Sequence, residues 1–392
     1  MKSGTSIKKE RVIEAHEIKT IRYLLDLPFN DELVSSWIAR NALQYGIKPS
    51  QLSTLIFEDT DTWKGDIDVF LNPKKITTLN KNTGIDENKI QSQTFYASCS
   101  YFYNQTEKTP QVKWVMPLGV RTRKKSFGLQ YCPCCLSEDG NQPYFRKSWR
   151  LGFMTCCPFH SVQMHDRCPK CHNPIDIKRL QKHKGEILYH PEDIAYCSKC
   201  GFDLRKTQYI DVSSEEYGIN RVNFIQSTTG YGKAGNLDFC YSNLYFEGIR
   251  RLLSFVVCSS NGKRLFVHLK RELQLQQMHH REALGHNIEP ERLGINLRRT
   301  GFIMIYHLLQ DWPETFVNSC KITDTSSHMI KTPYLEFPFW VSDTFFFNIH
   351  EHRFLTCDTE KKNIINYFQT RLKKKINLNQ AVRLVKNLRE TN

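Results

Sequence analysis

Four pairs of metal-ligand residues, each pair three positions apart, fall between residues 132 and 200 of this 392-residue chain. Two such residues on a tight turn can fill two corners of a tetrahedron, and structural zinc takes four cysteine or histidine ligands in that geometry. The spacing therefore predicts two zinc ions in the middle of the chain. The first ion would use Cys132, Cys135, Cys157 and His160, and the second would use Cys168, Cys171, Cys197 and Cys200.

Two further cysteines, Cys134 and Cys156, lie next to proposed ligands. A proline directly follows the first cysteine in three of the pairs, at Pro133, Pro158 and Pro169, where its fixed φ helps to set the turn. Counting from these prolines leaves Cys134 and Cys156 as non-ligands. The alternative histidine ligands are His165, His183 and His190.

The cysteines could also form disulfides or remain buried thiols. Residues 1–11 are polar and no apolar signal-peptide segment follows them, so zinc in a reducing cytoplasm is the favoured interpretation. No run of about 18 apolar residues occurs, so we expect no membrane-spanning helix and no membrane partner. The remaining cysteines are interpreted as inert core thiols: Cys99, Cys240, Cys258, Cys320 and Cys357.

The formal net charge of +15 is unevenly distributed. Residues 1–60 carry eight Lys/Arg and eight Asp/Glu, residues 119–184 carry thirteen and four, and residues 361–389 carry nine and none. This distribution favours contact with phosphate backbones, although a solvated basic surface would give the same counts. The candidate nucleic-acid contacts are Arg121, Arg123, Lys124, Lys125, Arg371, Lys373, Lys374 and Lys375.

Outside the cysteine-rich region, apolar residues recur at helical spacing, which predicts a mainly α-helical fold. Asn30 is expected to cap a first helix that ends at Gly46, and short helices are expected from Ser50, Pro73 and Asp86. This series is typical of a helix-turn-helix domain, and equally of a plain helical bundle. Further helices are expected over about 244–256, 265–278, 293–312, 360–374 and 378–390.

Two stretches are interpreted as irregular. Asp66 and Asp68 could serve as acid/base groups or metal ligands, but no third carboxylate accompanies them, so a solvated loop is favoured. The segment containing Gly218, Gly230, Gly232 and Gly235 is interpreted as a linker or loop. These features predict three domains. They are an N-terminal helix-turn-helix-like domain over 1–105, a central double zinc-finger region over 106–210, and a C-terminal helical domain with a basic tail over 211–392.

Three stretches follow the pattern of a known family. The first, residues 28–40, reads PFNDELVSSWIAR, and the second, residues 129–171, holds the first three cysteine motifs around Trp149. The third, residues 297–316, ends in Asp-Trp-Pro-Glu-Thr-Phe. Together they resemble TniQ, the target-selection family of bacterial transposons, which is related to TnsD. The cysteine stretch is the specific one, and the other two support it.

The resemblance implies a non-enzymatic adaptor. In that family, a helix-turn-helix domain, a zinc-finger middle and a helical C-terminal domain link a target-site reader to a TnsC-like AAA+ ATPase, and so to the transposase. The reader is a CRISPR effector complex carrying guide RNA, as in a CRISPR-associated transposon, or the protein itself bound to target DNA, as in TnsD. A homodimer and a bacterial, nucleoid-associated cytoplasmic location are also implied.

A zinc hydrolase or nuclease is the competing class of function. Catalytic zinc keeps three protein ligands and one open position, whereas each site predicted here counts four ligands. No carboxylate set is placed for two-metal phosphoryl transfer. The sequence therefore predicts no catalytic residues. The neutral N-terminal domain is the expected site of a protein partner, with Trp63 and Phe70 as candidate aromatic anchors.

Overall fold

The computed structural model describes residues 22–103, 112–118, 127–180, 190–234, 237–239, 241–275, 289–326, 337–349, 358–371, 373, 377 and 380. Within these residues the protein is mainly α-helical, which confirms the predicted fold class. The helices are α1 (Val34–Gln44), α2 (Pro49–Phe57), α3 (Pro73–Thr83), α4 (Glu87–Ser92), α5 (Phe95–Ser98), α6 (Pro133–Glu138), α7 (Ser214–Thr229), α8 (Ser242–Leu253), α9 (Lys263–Glu272), α10 (Ile295–Leu309), α11 (Glu314–Ile322), α12 (Phe339–Thr344) and α13 (Asp358–Arg371). The strands β1 (Gly232–Ala234) and β2 (Leu237–Phe239) form an antiparallel hairpin.

Helix α1 is buried on all sides. Each of residues 34–43 is inaccessible to solvent. Trp37, on one face, packs into an N-terminal core with α2 and α3. Leu43, on another face, belongs to a larger core that continues through the cysteine-rich region into the C-terminal helices. Helix α1 therefore contributes side chains to both hydrophobic cores and joins the N-terminal helices to the rest of the described protein.

The start of α1 differs from the prediction. The helix begins at Val34 with Leu33 as its N-cap, so Asn30 does not cap it. Glu32 turns inward and pairs with Arg40 at 3.1 Å, and both side chains are buried. The end of the helix agrees with the prediction, because Gly46 adopts a left-handed φ of 65°.

The prediction of a solvated loop at Asp66 and Asp68 is wrong. Asp68 is buried, and Arg150 from the cysteine-rich region lies 3.2 Å from Asp68 and 2.7 Å from Asp66. Asp68 also accepts hydrogen bonds from the backbone N–H and the hydroxyl of Ser35, at 2.7 and 2.8 Å. The compensating charge is far along the chain, so no local pattern indicated it.

The prediction of a linker around Gly218 is also wrong, because this residue lies inside α7. Ser213 and Glu216 form a capping box at the start of the helix, and Gly230 ends it with a φ of 79°. Both signals are present in the sequence. A glycine within a helix costs about 1 kcal/mol relative to alanine, which the caps and tertiary packing outweigh.

The C-terminal helices surround the larger core. Trp312 stacks on Phe316 with ring centroids 5.1 Å apart and meets Trp340 edge-on at 4.9 Å. The helix predicted over 378–390 lies almost entirely outside the described residues. In the parts of the chain that the structure describes, no helix has the length and apolar character needed to cross a bilayer. The division into three domains, with its two boundaries after residues 105 and 210, stays a prediction.

Candidate metal centre

The first candidate site contains three thiols and one imidazole whose ligand atoms all lie within 4.8 Å of one another: Cys132, Cys135, Cys157 and His160. The Cys135 sulfur is 3.6 Å from the Cys157 sulfur and 3.3 Å from His160 Nδ1. Nδ1 is also 3.4 Å from the Cys157 sulfur. Ligands about 2.3 Å (sulfur) and 2.0–2.1 Å (nitrogen) from a tetrahedral zinc would be separated by about 3.5–3.8 Å. The observed separations fit that size.

The second candidate site contains four thiols, again within 4.8 Å of one another: Cys168, Cys171, Cys197 and Cys200. The sulfurs of Cys168 and Cys200 are 3.5 Å apart, and those of Cys171 and Cys197 are 3.7 Å apart. The structure therefore brings together the same eight residues that the sequence spacing pairs, in the same two groups. Both groups have the donor set and the size that zinc requires.

Three of the four ligand pairs are presented by the same backbone hairpin. In each, the N–H of the first ligand donates to the carbonyl five residues later: Cys157 to Val162, Cys168 to Asn173 and Cys197 to Phe202, at 2.8, 3.0 and 2.8 Å. The residue after the second ligand has a left-handed backbone, at Ser161, His172 and Gly201, with φ values of 55°, 54° and 67°. An antiparallel bridge flanks each turn. This repeated geometry directs both side chains of a pair toward one point.

The remaining pair, Cys132 and Cys135, lies at the start of α6. Cys132 is the N-cap, and its sulfur accepts a hydrogen bond from the Cys135 N–H at 3.5 Å. Pro133 occupies the first helical position, where its missing N–H costs nothing. The cap and the first turn of the helix thus place the two sulfurs side by side.

The neighbouring cysteines and alternative histidines do not join either group. Cys134 is half-buried, and Cys156 is buried with a pKa raised to about 12 by that burial. His165 and His190 belong to neither group, and His183 lies outside the described residues.

The electrostatics of both groups favour a bound cation. Burial raises the pKa of Cys168, and the hydrogen bond with Cys132 raises the pKa of Cys135, whereas hydrogen bonds with Cys132 and Cys135 lower the pKa of Cys157. The first thiolate in such a group opposes ionisation of the next thiol, whereas a divalent cation stabilises all the thiolate forms. The arrangement is therefore suited to a metal ion.

Glu138 is a residue of this site that the sequence analysis missed. Its carboxylate lies 2.8 Å from His160 Nε2, the ring nitrogen that does not face the cysteines. Although burial opposes it, the hydrogen bond to Glu138 raises the pKa of His160. Such a partner fixes the ring so that Nδ1 can present its lone pair to a metal. The sequence signal for this role was the spacing. Glu138 follows Cys135 by three residues on α6, which places both side chains on the same face of the helix.

The C-terminal helices hold the segment between the first two ligand pairs. Arg298 of α10 is fully buried and donates to the Gly152 carbonyl at 2.7 Å and to the Gln130 side chain at 2.8 Å. The Gln130 amide in turn donates to the carbonyls of Trp149 and Met154, at 3.1 and 3.0 Å. The segment between the first two ligand pairs is thus held on both sides. Asp66 and Asp68 bind Arg150 from the N-terminal side, and Arg298 binds Gly152 from the C-terminal side.

Most of the predicted nucleic-acid contacts lie outside the described residues: Arg121, Arg123, Lys124, Lys125, Lys374 and Lys375. Arg371 is the last residue of α13, and both it and Lys373 are exposed. Nucleic-acid binding by these residues stays a prediction.

Fold and site together define a helical protein built around two four-ligand groups that can hold metal ions. Residues 26–164 match the TniQ family model, so the chain contains a TniQ domain. The domain implies transposition-associated target selection and is a non-catalytic accessory domain. No curated protein matches the chain. The matched segment contains all four ligands of the first group and ends before Cys168, so the second group lies beyond it.

Proposed function

We propose that this protein is a non-enzymatic adaptor that links a target-site reader to an AAA+ transposition ATPase, and through it to the transposase. The TniQ match carries this proposal, because it covers both the N-terminal helices and the first metal group. The reader would be a CRISPR effector complex with guide RNA or a DNA-bound target site. Homodimer formation and a location at the bacterial nucleoid form part of the proposal.

The eight ligands would hold two structural zinc ions. Four protein ligands complete a tetrahedral shell and leave no position for a substrate or a reactive water. Zinc would then contribute to folding, as in zinc-finger peptides, where its binding is worth about 10–16 kcal/mol at neutral pH. This role agrees with a loop-rich middle region in which three of the four ligand pairs lie on short hairpins.

An exposed aromatic pair in the N-terminal region, Phe70 just before α3 and Tyr96 in α5, is the proposed anchor for the ATPase. Phe70 and Tyr96 are 47% and 44% exposed, and their rings meet edge-to-face at 5.4 Å. Trp63, the other aromatic candidate, donates its indole N–H to Ser53 at 2.7 Å and packs against Lys178. Its contacts are internal to the protein. Aromatic anchors often dominate protein interfaces, which favours Phe70 and Tyr96.

The test is binding of the full-length protein to the AAA+ ATPase of the same transposon. Phe70→Ala combined with Tyr96→Ala should weaken binding by at least about tenfold, while zinc content stays unchanged. Tyr209, an exposed tyrosine beyond the TniQ domain, provides the control Tyr209→Ala. A wild-type protein that bound no ATPase, or that cut DNA with a divalent metal, would contradict the adaptor role.

A TnsD-type protein that reads an attachment site directly is the second candidate, and the net charge of +15 favours it. Such a reader needs base contacts in the major groove, which make specific binding about 10³-fold or more tighter than non-specific binding. Competition between attachment-site DNA and unrelated DNA separates the two proposals. Equal affinity for both would support the adaptor and exclude the direct reader.

A further inference from the structure

One helical face carries a cleft that no part of the TniQ match covers. It has a volume of about 370 Å³ and lies between α9 and the end of α11. Its lining consists of Lys263, Arg264, Val267, His268, Arg271, Ile322 and Thr323. These lining residues include two arginines, a lysine and a histidine, and no carboxylate. The cleft is therefore electropositive.

The three permanent charges of the cleft are exposed and available. Lys263, Arg264 and Arg271 form no ion pair with any residue that the structure describes. By contrast, Arg250 and Arg251 on the neighbouring helix α8 pair with glutamates at 2.6 and 2.8 Å.

Among the described residues, the acid nearest in sequence pairs with the histidine of the lining and with none of its lysine or arginines. Glu272, the single carboxylate of α9, faces His268 at 3.1 Å and His307 at 3.5 Å. Positive charges left without partners on one face are complementary to an anionic ligand.

The spacing of the charges matches a repeating anion. Lys263 and Arg271 are eight residues apart on α9, which corresponds to about 12 Å along the helix axis. One strand of duplex DNA advances about 3.4 Å per phosphate, so this face spans about three phosphates.

The lining also indicates the form of nucleic acid. Single-stranded nucleic acids are usually held by aromatic side chains on which bases stack, and the lining contains none. Its apolar members are Val267 and Ile322, and its uncharged polar member is Thr323. The lining has no Asn or Gln to read adenine and no carboxylate to read cytosine. Most hydrogen bonds between proteins and DNA go to phosphate and sugar, so contact by its lysine and arginines would be mainly to the sugar-phosphate backbone.

We propose that the cleft between α9 and α11 binds the phosphate backbone of duplex DNA without sequence preference, through Lys263, Arg264 and Arg271. The site is separate from the metal groups and from the basic residues singled out in the sequence. Through this cleft a target-selection protein would bind the DNA next to its target directly. The inference does not require the adaptor role, because it rests on the geometry and charge of the cleft.

The experiment measures binding of the full-length, zinc-loaded protein to a short fluorescent DNA duplex of unrelated sequence over a series of salt concentrations. The variant Lys263→Gln/Arg264→Gln/Arg271→Gln should reduce the slope of log affinity against log salt by about three, one for each lost phosphate contact. Glutamine suits exposed helical positions, and unchanged zinc content and thermal midpoint confirm folding. Arg264→Lys/Arg271→Lys keeps both charges and should retain the wild-type slope.

A matched control removes three exposed lysines elsewhere, by Lys74→Gln/Lys81→Gln/Lys206→Gln. An unchanged slope in the cleft variant, or an equal reduction in the control, would overturn the proposal. So would loss of single-stranded RNA binding or of ATPase binding while duplex binding stays intact. The DNA assay contains no ATPase, so failure of the adaptor role and failure of this proposal are distinguishable.

Discussion

Asp68 and Arg150 are 82 residues apart in sequence, yet their side chains meet at 3.2 Å with neither exposed to solvent. Asp68 lies between α2 and α3, and Arg150 lies between the first and second ligand pairs of the metal centre. The pair therefore joins the N-terminal helices to the cysteine-rich region. Arg150 also donates to Asp66 and to the Met116 carbonyl, so the buried guanidinium is held by several acceptors.

Asp68→Ala should lower the free energy of unfolding by about 3–5 kcal/mol, because it leaves a buried arginine without one of its two carboxylates. Urea unfolding of the zinc-loaded protein, followed by tryptophan fluorescence, measures the loss. Asp61→Ala is the control, since Asp61 pairs with Lys64 at an exposed site and should contribute less than about 1 kcal/mol. Equal effects of the two substitutions would show that the buried pair has no special role.

Elemental analysis should find two zinc ions in each wild-type chain. Cys168→Ser should remove one ion and unfold the middle region, because it takes a ligand from the second group. Cys200→Ser removes a half-buried ligand of the same group and should lose the same ion. Cys134→Ser, next to a ligand of the first group, should keep both ions. Fewer than two ions in folded wild-type protein would argue against the ligand pairing.

Glu138→Gln should weaken zinc binding at the first group by about tenfold to a hundredfold, because His160 loses the carboxylate that orients its ring. Competition with a chromophoric chelator measures the affinity, and the second group should be unaffected. Because zinc binding stabilises the folded state, the free energy of unfolding of the zinc-loaded protein should fall by the same factor expressed as energy, about 1.4–2.7 kcal/mol. Glu215→Gln, another exposed carboxylate, is the control and should leave both affinities unchanged.

Glu291 should contribute stability that depends on pH. Burial opposes ionisation, but the Arg250 guanidinium outweighs it and holds the pKa of Glu291 below its ordinary value. A lowered folded-state pKa gives a contribution that is complete above the unfolded-state value of about 4.3 and is lost as pH falls through the folded-state value. Glu291→Gln should therefore cost about 3 kcal/mol at neutral pH, and its difference from wild type should shrink below about pH 4.3.

The check on Glu291 is urea unfolding of both proteins at several pH values. The zinc ligands are identical in the two proteins, so the difference between them isolates Glu291. Glu289→Gln serves as the control, because Glu289 pairs with Arg292 where both side chains are half exposed. A Glu291→Gln difference that stayed constant down to pH 3 would contradict the assignment.

Short-range signals allowed the metal groups to be located from the sequence. The spacing of Cys168 and Cys171, repeated at Cys197 and Cys200, specifies a local hairpin, and the structure forms that hairpin at both places. The helix from Pro73 was similarly visible, because Asn72 caps its start and Gly84 ends it within one short stretch.

Long-range pairing was not visible in the same way. The burial of Asp68 depends on Arg150, and no pattern near either residue reports the other. Asn30 was expected to cap the first helix, but Glu32 pairs with Arg40 in the core and α1 starts only at Val34. Helix α7 was not predicted for a different reason. Its capping box at Ser213 is present in the sequence, but Gly218 favoured the interpretation of this segment as irregular.

The burial of α1 has a mechanical consequence. A helix with solvent on one side can tilt or slide when a ligand pushes on it, but α1 has packed side chains on all sides along residues 34–43. A displacement of the N-terminal helices would therefore be transmitted directly to the cysteine-rich region, because α1 is packed rigidly against both. A partner that docks on Phe70 would turn both parts together. Two distance probes placed on either side of α1 should accordingly keep one separation, whether or not that partner is bound.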